Sequence, residues 1–228
     1  MALKALYVTS TSAEAEALRK ATVYDASSGK FHAGNVEISL LLGNVGAVST
    51  VWSLMNYLAV NGKPDIAING GIAGSFRPDI PPGSVVMPVT DCFADCGIED
   101  GNEFFTLFEA GLAMPGAFPF ENGLLKAPEN IISKAGNLIR SVNAITVNAA
   151  TGSESTRDRL FRKYSPDIET MEGAGFFYVC KMEQLPFIAV RAVSNMVEKR
   201  DKSKWNIPLA LDNLSVKLEL LLKHLNTL

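Results

Sequence analysis

Residues that mark metal or disulfide proteins are scarce in this chain of 228 residues. Its three cysteines, Cys92, Cys96 and Cys180, have no zinc-type spacing, and an odd number gives no disulfide framework. The two histidines are accompanied by no acidic pair at ligand spacing, so we expect no metal site and no cofactor. Reduced, buried thiols are the expectation, which favours a cytoplasmic protein.

The chain also lacks a strong excess of one sign of charge and any long hydrophobic run. The 21 basic and 24 acidic residues are interspersed, so no basic stripe is present and nucleic-acid binding is not expected. The first ten residues, MALKALYVTS, hold one lysine and a short β-type run rather than the apolar segment of a signal peptide. No later run reaches the ~18 apolar residues of a membrane span, so we expect no membrane partner.

What is present is a hydrophobic content of 47%, enough for a large core, and we predict one domain over residues 1–228. Short apolar runs alternate with helical patterns, which predicts an α/β sheet. Strands are predicted at 5–8, 36–42, 65–68, 84–89, 144–147 and 187–193, and helices from about 12, through 48–58, from 151 to about 161, from 171 and over 207–225.

The stretch from Cys92 to Gly123 breaks this alternation and reads as a long excursion. Excursions of this length in a compact domain are usually functional loops or subunit contacts. Phe104, Phe105 and Phe108 are therefore candidates for a lid or an interface, and core packing is the other interpretation.

Glycine-rich segments follow two predicted strands. Residues 69–74 (NGGIAG) read as a turn directly after a strand, and 43–46 (GNVG) read as a second turn with a place at the same pocket. Either glycine pair can also serve only to permit a tight turn. Thr151 and Glu154 fit a capping box that begins a helix.

The most informative segment spans residues 169–201. The pair Met171–Glu172 begins an amphipathic helical pattern that ends before Pro186, and the buried strand that follows leads into the pair Ser194–Asn195. Because ligands of open α/β sheets bind beyond the carboxyl ends of the strands, Asn195 is expected to face a ligand. An Asn that caps a turn after the strand is the alternative.

These two pairs resemble the signature of the purine nucleoside phosphorylase and nucleosidase superfamily, and the resemblance runs through nearly the whole chain. It implies a single-domain, three-layer α/β fold of the phosphorylase/hydrolase type, with a central mixed, twisted sheet flanked by helices. It also implies a small-molecule nucleoside substrate and a homodimer or higher homo-oligomer. The finer pattern RAVSN at 191–195, followed by KRD at 199–201 and Trp205, resembles the branch that hydrolyses futalosine to hypoxanthine and dehypoxanthine futalosine in menaquinone biosynthesis.

The resemblance implies that Met171 and Glu172 hold the ribose, and that Ser194 and Asn195 address the purine. An amide cannot act as a general acid, but it donates and accepts hydrogen bonds, so Asn195 suits N7 and O6 of a 6-oxopurine. A charge that only stabilises the start of a helix is the simpler interpretation of Glu172.

The resemblance also implies that Gly71 and Ile72 lie under the ribose and that Gly152 contributes backbone contacts to the purine. Many phosphorylases have an Arg and a Ser or Thr where this chain has Asn69 and Ile72, because a phosphate dianion needs a cation and a hydroxyl. Water is therefore the expected acceptor.

Glu14 follows the first strand and is implied as the general base that activates this water. Glu16 lies two residues further on, a shift of register would exchange the two, and both can be surface charges. Arg200 is a candidate partner for the carboxylate at the 5′ end of futalosine, against a solvated charge run.

Two other functions stay open at this point. One is another purine nucleosidase or phosphorylase that uses inosine or methylthioadenosine. The other is a nonenzymatic nucleoside-binding protein on the same scaffold, since fold does not fix function. Glu14 separates them, because a binding protein has no need of a general base.

Overall fold

The computed structural model describes residues 2–101, 103–135 and 137–225, so Asn102 of the excursion lies outside the described residues. The helices are α1 (Ser12–Ala21), α2 (Ala47–Asn61), α3 (Glu129–Ala135), α4 (Glu154–Tyr164), α5 (Gly173–Met182) and α6 (Ile207–Leu225). The strands are β1 (Leu3–Thr9), β2 (Val23–Asp25), β3 (Lys30–Ala33), β4 (Val36–Leu42), β5 (Ile66–Ser75), β6 (Val85–Asp91), β7 (Gly97–Asp100), β8 (Glu103–Thr106), β9 (Leu125–Lys126), β10 (Arg140–Thr146), β11 (Ile168–Thr170) and β12 (Phe187–Met196).

The strands form one mixed sheet in the order β11-β10-β6-β12-β5-β1-β4-β3-β2, with β7 and β8 as a separate hairpin. Strand β12 is parallel to β5 and antiparallel to β6. Strand β11 pairs with β10 and also with β5, which closes this half of the sheet on itself. The predicted α/β fold with a mixed central sheet is confirmed.

Helices cover both faces of the sheet. On one face α1 and α6 pack through apolar residues that include Leu18, Leu214 and Leu218. On the other face α2 and α5 contribute Leu54, Phe176 and Phe177. Burial of these side chains contributes on the order of 2 kcal/mol each, which holds the three layers together. Among the described residues no helix is both long and apolar enough to cross a bilayer.

The glycine-rich segment 69–74 is not a turn, as the sequence suggested, but the second half of β5. Its glycines make room for side chains of neighbouring elements. A Cβ on Gly70 would collide with the Tyr7 hydroxyl, and one on Gly71 would lie 2.7 Å from Glu14 Oε1. The pattern was misread because glycine suits close approach as well as tight turns.

Two helix starts also differ from the prediction. Ser153 caps α4 by accepting a hydrogen bond from the Thr156 N–H at 3.2 Å, whereas the predicted cap Thr151 bonds to Glu169. Helix α5 begins at Gly173 rather than at Met171, and it is buried almost all round rather than amphipathic. It packs closely on α2, because a Cβ on Gly175 would lie 2.7 Å from the Ala47 carbonyl oxygen.

Helix α2 leaves an apolar stripe uncovered. Leu54 and Leu58 point into the core, but Val48 and Trp52 are 79% and 72% exposed. The periodic apolar pattern that predicted the helix therefore covers two different faces of it.

The excursion contains the β7–β8 hairpin and a series of turns. Phe104 lies under the Arg159 guanidinium, and Phe108 packs edge-on against Phe120 with ring centroids 5.2 Å apart. These turns cover a cavity of about 520 Å³ whose lining includes Cys92, Phe108 and Tyr164.

Candidate active site

All but two of the predicted site residues line one cleft of about 240 Å³: Glu14, Ile72, Met171, Glu172, Ser194, Asn195 and Arg200. The cleft lies beyond the carboxyl ends of β1, β5, β11 and β12, as expected for an open α/β sheet. The two other residues border it. Gly71 backs the Glu14 carboxylate, and the Gly152 carbonyl oxygen accepts a bond from the Arg200 N–H at 3.4 Å.

Glu14 is a buried carboxylate that accepts hydrogen bonds from Thr9, Thr11 and Ile72. It forms a capping box with Thr11, whose hydroxyl accepts from the Glu14 N–H at 3.2 Å while Glu14 Oε2 accepts from the Thr11 N–H at 3.0 Å and hydroxyl at 2.9 Å. Oε1 accepts from the Ile72 N–H at 3.0 Å, across to β5. The local capping motif thus fixes the start of α1 and points the carboxylate into the cleft.

Glu16 faces away from this cleft. It forms an exposed ion pair with Arg19 at 3.0 Å on the surface of α1. Of the two carboxylates between which the sequence left a choice, only Glu14 can reach a ligand bound in the cleft.

Glu172 precedes α5 as its N-cap, but its side chain does not cap its own helix. Instead Glu172 Oε1 accepts a hydrogen bond from the Gly46 N–H at 3.0 Å. Gly46 has φ +100°, a backbone conformation that favours glycine, so the GNVG turn does contribute to this pocket. Burial raises the pKa of Glu172, and the Gly46 N–H and the Arg191 guanidinium oppose that shift.

Arg191 is the first residue of the RAVSN motif, and no role was predicted for it. The structure buries its guanidinium fully. It donates from Nη1 to the Asn69 carbonyl oxygen at 2.7 Å and from Nη2 to Asn69 Oδ1. Asn69 in turn donates to the Val8 carbonyl oxygen at 2.9 Å, which links β1, β5 and β12. A charged residue inside an otherwise apolar strand was the signal that could have found it, since such residues are almost never fully buried unless they are paired.

The positive charge of Arg191 acts on acidic groups around the cleft. It lowers the pKa of Glu172 and that of Asp91, against the larger effect of burial in both cases. Arg191 itself does not line the cleft, so it can supply electrostatic support from behind but no direct contact in this geometry.

The end of β12 also lines the cleft, through Ser194 and Asn195. Asn195 Oδ1 accepts from the Ser194 hydroxyl at 2.7 Å, and Asn195 Nδ2 donates to the Met196 carbonyl oxygen at 2.9 Å. The amide is half-buried, and one N–H and further lone pairs stay available to a ligand. At the rim the Arg200 guanidinium lies 5.3 Å from the ring centroid of Trp205.

Glu169 is a carboxylate that lines the same cleft and for which no role was predicted. Its Oε1 accepts from the Thr151 N–H at 2.9 Å and its Oε2 from the Thr151 hydroxyl. Burial raises the pKa of Glu169, and the two bonds from Thr151 oppose this. Glu169 lies two residues before the Met-Glu pair, and its position on a short buried strand was the available signal.

Asp91 is a third missed group, buried beneath the start of α5. Its Oδ1 accepts from the Cys92 N–H at 2.8 Å and the Thr146 hydroxyl at 2.9 Å, while Oδ2 has no partner among the described residues. The Thr146 hydroxyl also accepts from the Ala174 N–H at 2.7 Å, so Asp91 supports the helix start that carries Glu172.

Among the residues described, no group of three His, Cys, Asp or Glu side chains could hold a metal ion. The cleft offers the carboxylates of Glu14, Glu169 and Glu172 and the amide of Asn195, with the buried cation Arg191 behind the lining. Such a site can stabilise a positive charge that develops on a bound ligand and can take a proton from a bound water.

The chain is similar to known proteins in sequence and in fold. A model described as the phosphorylase superfamily matches residues 4–226. The chain is 31% identical over 160 residues to futalosine hydrolase of Streptomyces coelicolor, a match that covers 69% of this chain and 65% of that protein, just under two thirds. It is 26% identical over 211 residues to 5′-methylthioadenosine/S-adenosylhomocysteine nucleosidase of Buchnera aphidicola, covering 84% and 81%.

Two solved structures from Helicobacter pylori show the same fold. The chain matches 5′-methylthioadenosine/S-adenosylhomocysteine nucleosidase in complex with an inhibitor with a TM-score of 0.79 and 14% identity, over 98% of this chain and 99% of that one. It matches native futalosine hydrolase with a TM-score of 0.77 and 15% identity, over 100% of this chain and 99% of that one. At these identities the likeness concerns the fold alone.

Proposed function

Since this chain belongs to the phosphorylase superfamily, whose model spans residues 4–226, we propose that it is a nucleosidase that hydrolyses the N-glycosidic bond of futalosine. The products are hypoxanthine and dehypoxanthine futalosine, in menaquinone biosynthesis. The observation that carries the proposal is an amide, Asn195, in the same cleft as the buried carboxylates Glu14 and Glu172. The identity of 31% with a futalosine hydrolase supports it.

In the proposed reaction the bond from C1′ to N9 breaks and a bond from C1′ to the oxygen of water forms. The base leaves as an anion and becomes neutral hypoxanthine by taking a proton from solvent, to which Glu14 releases the proton that it took from the attacking water. Positive charge develops on the ribose, and the carboxylates of Glu14 and Glu172 stabilise it in a site sheltered from water. Glu172 accepts hydrogen bonds from the ribose hydroxyls and Met171 packs on the sugar. Glu14 takes a proton from the attacking water.

The departing base is the part of the reaction in which Asn195 acts. An amide has no proton to release at neutral pH, so it stabilises the leaving base by hydrogen bonds to N7 and O6 instead of protonating it. This suits a 6-oxopurine, whose anion is a better leaving group than that of a 6-aminopurine. Asn195, with Ser194 behind it, therefore favours hypoxanthine over adenine.

Water rather than phosphate is the proposed acceptor. Asn69 is buried and its side chain is already bonded to Val8 and Arg191, and Ile72 faces the cleft with an apolar side chain. Neither residue can supply the cation or the hydroxyl that a phosphate dianion needs. Backbone contacts to the substrate are proposed for Gly71, Gly152 and Arg200. The Arg200 guanidinium is also proposed to pair with the carboxylate at the 5′ end of futalosine.

The test is to incubate the protein with futalosine, inosine and methylthioadenosine separately, each with and without phosphate, and to follow base release by chromatography. Hypoxanthine from futalosine without phosphate is the expected result. A requirement for phosphate would contradict the hydrolase assignment, and no release from any nucleoside would favour a binding protein.

A second candidate is methylthioadenosine nucleosidase, because the match to a relative of that name covers 84% of the chain. Release of adenine from methylthioadenosine at a rate above that of hypoxanthine from futalosine would establish it and contradict the role of Asn195.

We also propose that the protein is a homo-oligomer, in the first place a homodimer. The exposed Val48 and Trp52 of α2 support this, because large apolar side chains grouped on one helix face are typical of interfaces. Sedimentation of Trp52→Glu against Val216→Glu, an exposed apolar site on α6, tests it: only the former should become monomeric.

One domain over residues 1–228 and a cytoplasmic location stay predictions.

A further inference from the structure

We infer that Asp91 is a positioning residue for the Glu172 carboxylate: through two threonine hydroxyls it caps α5 in place of Glu172, which leaves that carboxylate free to face the ribose. The inference rests on the proposed function and deepens it, because it names what holds the proposed sugar-binding group in place. Asp91 is fully buried and lines neither the cleft nor the cavity under the excursion, so it acts through other residues.

The first two N–H groups of α5 are paired with side chains from outside the helix. The Gly173 N–H donates to the Thr170 hydroxyl at 3.2 Å, and the Ala174 N–H donates to the Thr146 hydroxyl at 2.7 Å. Thr146 and Thr170 are paired residues at the ends of β10 and β11, and their hydroxyls lie 3.2 Å apart. The ends of two strands thus supply the cap that the N-cap residue of a helix usually supplies.

Asp91, at the end of the next strand, β6, sets the direction of these hydrogen bonds. Its Oδ1 accepts from the Thr146 hydroxyl at 2.9 Å and does so in either ionisation state, because a proton would be on Oδ2. A threonine hydroxyl has one hydrogen and two lone pairs. Since the Thr146 hydrogen points to Asp91, the hydrogen between the two threonines comes from Thr170.

The result is a hydrogen-bond chain with one direction. The hydroxyl hydrogens of Thr170 and Thr146 point toward Asp91, so their lone pairs accept from the N–H groups of α5. Hydrogen bonds in such a chain polarise and strengthen one another. Without an acceptor at position 91 the Thr146 hydrogen would be free to turn toward Thr170, and the two hydroxyls would no longer be held as acceptors for the helix.

Glycine at the first position of α5 makes room for this cap. A Cβ on Gly173 would lie 2.1 Å from Asp91 Oδ2 and 3.0 Å from Thr170 Oγ1. The carboxyl of Asp91 therefore lies directly against the helix start, in space that any other residue at position 173 would fill.

The cap changes what the Glu172 side chain does. A carboxylate at an N-cap is attracted by the N–H groups of the first turn and by the helix dipole. Glu172 is the N-cap of α5, yet its side chain makes no capping bond. The Ala174 N–H is already paired, and Glu172 Oε1 accepts from the Gly46 N–H, 126 residues away, at 3.0 Å. The chain that ends at Asp91 thus removes a competitor for the Glu172 carboxylate.

The variant that tests this is Thr146→Val, which keeps the shape of the side chain but removes the acceptor of the Ala174 N–H. Thr146→Ser restores the hydroxyl. In a second pair, Asp91→Val removes the last acceptor of the chain and Asp91→Asn keeps one. The matched control is Thr90→Val, which removes a hydroxyl bond of 2.8 Å between the same two strands, β6 and β10, to Asn143, and does not line the cleft.

We expect Thr146→Val and Asp91→Val to lower kcat/KM for futalosine about 10- to 100-fold, because a carboxylate displaced by about 1 Å loses much of its effect on the transition state. Thr146→Ser and Asp91→Asn should recover most of this loss, and Thr90→Val should match the wild type. In a Glu172→Ala background, Thr146→Val should change kcat/KM by less than about 2-fold, because the residue through which Thr146 acts is gone.

Crystal structures of Thr146→Val and Asp91→Val test the inference without turnover, and either variant suffices if the other does not fold. We expect the Glu172 carboxylate to leave the Gly46 N–H and to accept from the Ala174 N–H.

Two results would overturn the inference. One is an equal fall of kcat/KM in Thr146→Val with and without Glu172, which would indicate a structural role alone. The other is a variant structure in which Glu172 stays on the Gly46 N–H. If the wild type cleaves no nucleoside but Glu172 turns toward α5 in the variants, the proposed function fails and the capping role of Asp91 stands.

Discussion

The cleft at the strand ends and the cavity under the excursion differ in almost every property. The cavity is the larger of the two, about 520 Å³ against about 240 Å³, and aromatic rings such as Phe108 form part of its wall. Its ion pair of Lys163 with Glu109, at 2.7 Å, is partly exposed. In the cleft, by contrast, Glu14 and Glu172 are buried and each is held by backbone N–H groups of a distant segment.

The larger volume and the buried carboxylates thus lie in different regions of this protein. Burying a charge costs several kcal/mol unless it is paired, so a fold keeps buried charges where they have a task. The cleft has several such groups and the cavity has none that is fully buried. Variants made in matched pairs, one in each region, test this difference.

The largest expected effect is on catalysis, in Glu14→Gln. Loss of the general base should lower kcat about 10²- to 10⁴-fold, with the affinity for hypoxanthine unchanged because the side-chain volume and the Ile72 contact are kept. The partners are Glu16→Gln and Glu109→Gln, both of which should retain wild-type kcat. A larger loss in Glu109→Gln than in Glu14→Gln would move the active site to the excursion.

The next effect is on stability, in Arg191→Met. This change leaves the Asn69 side-chain and main-chain oxygens without their donor inside the sheet and should cost about 3 kcal/mol of unfolding free energy in urea. Lys163→Met, which removes the partly exposed ion pair, should cost no more than about 1 kcal/mol. Equal losses would mean that Arg191 is not the buried anchor described above.

The third effect is on the pH dependence of stability. Burial raises the pKa of Asp91 to about 7, above the ~4 of an unfolded chain. Between these values the folded state keeps a proton that the unfolded state releases, so stability falls as pH rises from about 4 to about 7, by up to about 1.4 kcal/mol per pH unit. Asp91→Asn should flatten this slope in part, because the pKa values of Glu169 and Glu172 are raised too.

For the ion pair that lines the cavity we expect the opposite change of stability with pH. The hydrogen bond from Lys163 lowers the pKa of Glu109 to about 2, so its contribution is present above the unfolded pKa and is lost as pH falls toward 2. Glu109→Gln should therefore change only the acidic limb of the stability curve, measured by urea unfolding at each pH. A slope in Asp91→Asn as steep as in the wild type would count against the buried, protonated Asp91.

The smallest effect is expected at the rim of the cleft, in Arg200→Ala. A partly solvated guanidinium contributes little, so KM for futalosine should rise about 3- to 10-fold, whereas KM for inosine, which lacks the 5′ carboxylate, should not change. Arg159 lies over Phe104 at 5.1 Å much as Arg200 lies over Trp205, so Arg159→Ala is the matched control. A similar rise in both variants would indicate long-range electrostatics rather than pairing.

The sequence predicted the fold well where the pattern is local. Strand β4 was predicted with its observed bounds, and the starts of α1 and of the last helix were found from periodicity and caps. The pairs Met171–Glu172 and Ser194–Asn195 were recognised as ends of elements that face one cleft. The glycines of β5 were misread, because glycine marks a turn and a close approach equally well.

By itself, then, the sequence determined the α/β alternation, the superfamily signature and the presence of an amide at position 195. The tertiary structure was needed to find that Glu14 and not Glu16 faces the cleft, that Glu169 lines it and that Arg191 is buried behind it. The reason is that these assignments depend on hydrogen bonds between residues far apart in the chain, 58 residues for Glu14 with Ile72 and 126 for Gly46 with Glu172. Local periodicity carries no information about such contacts, because it reports which face of an element is apolar and not which element lies opposite.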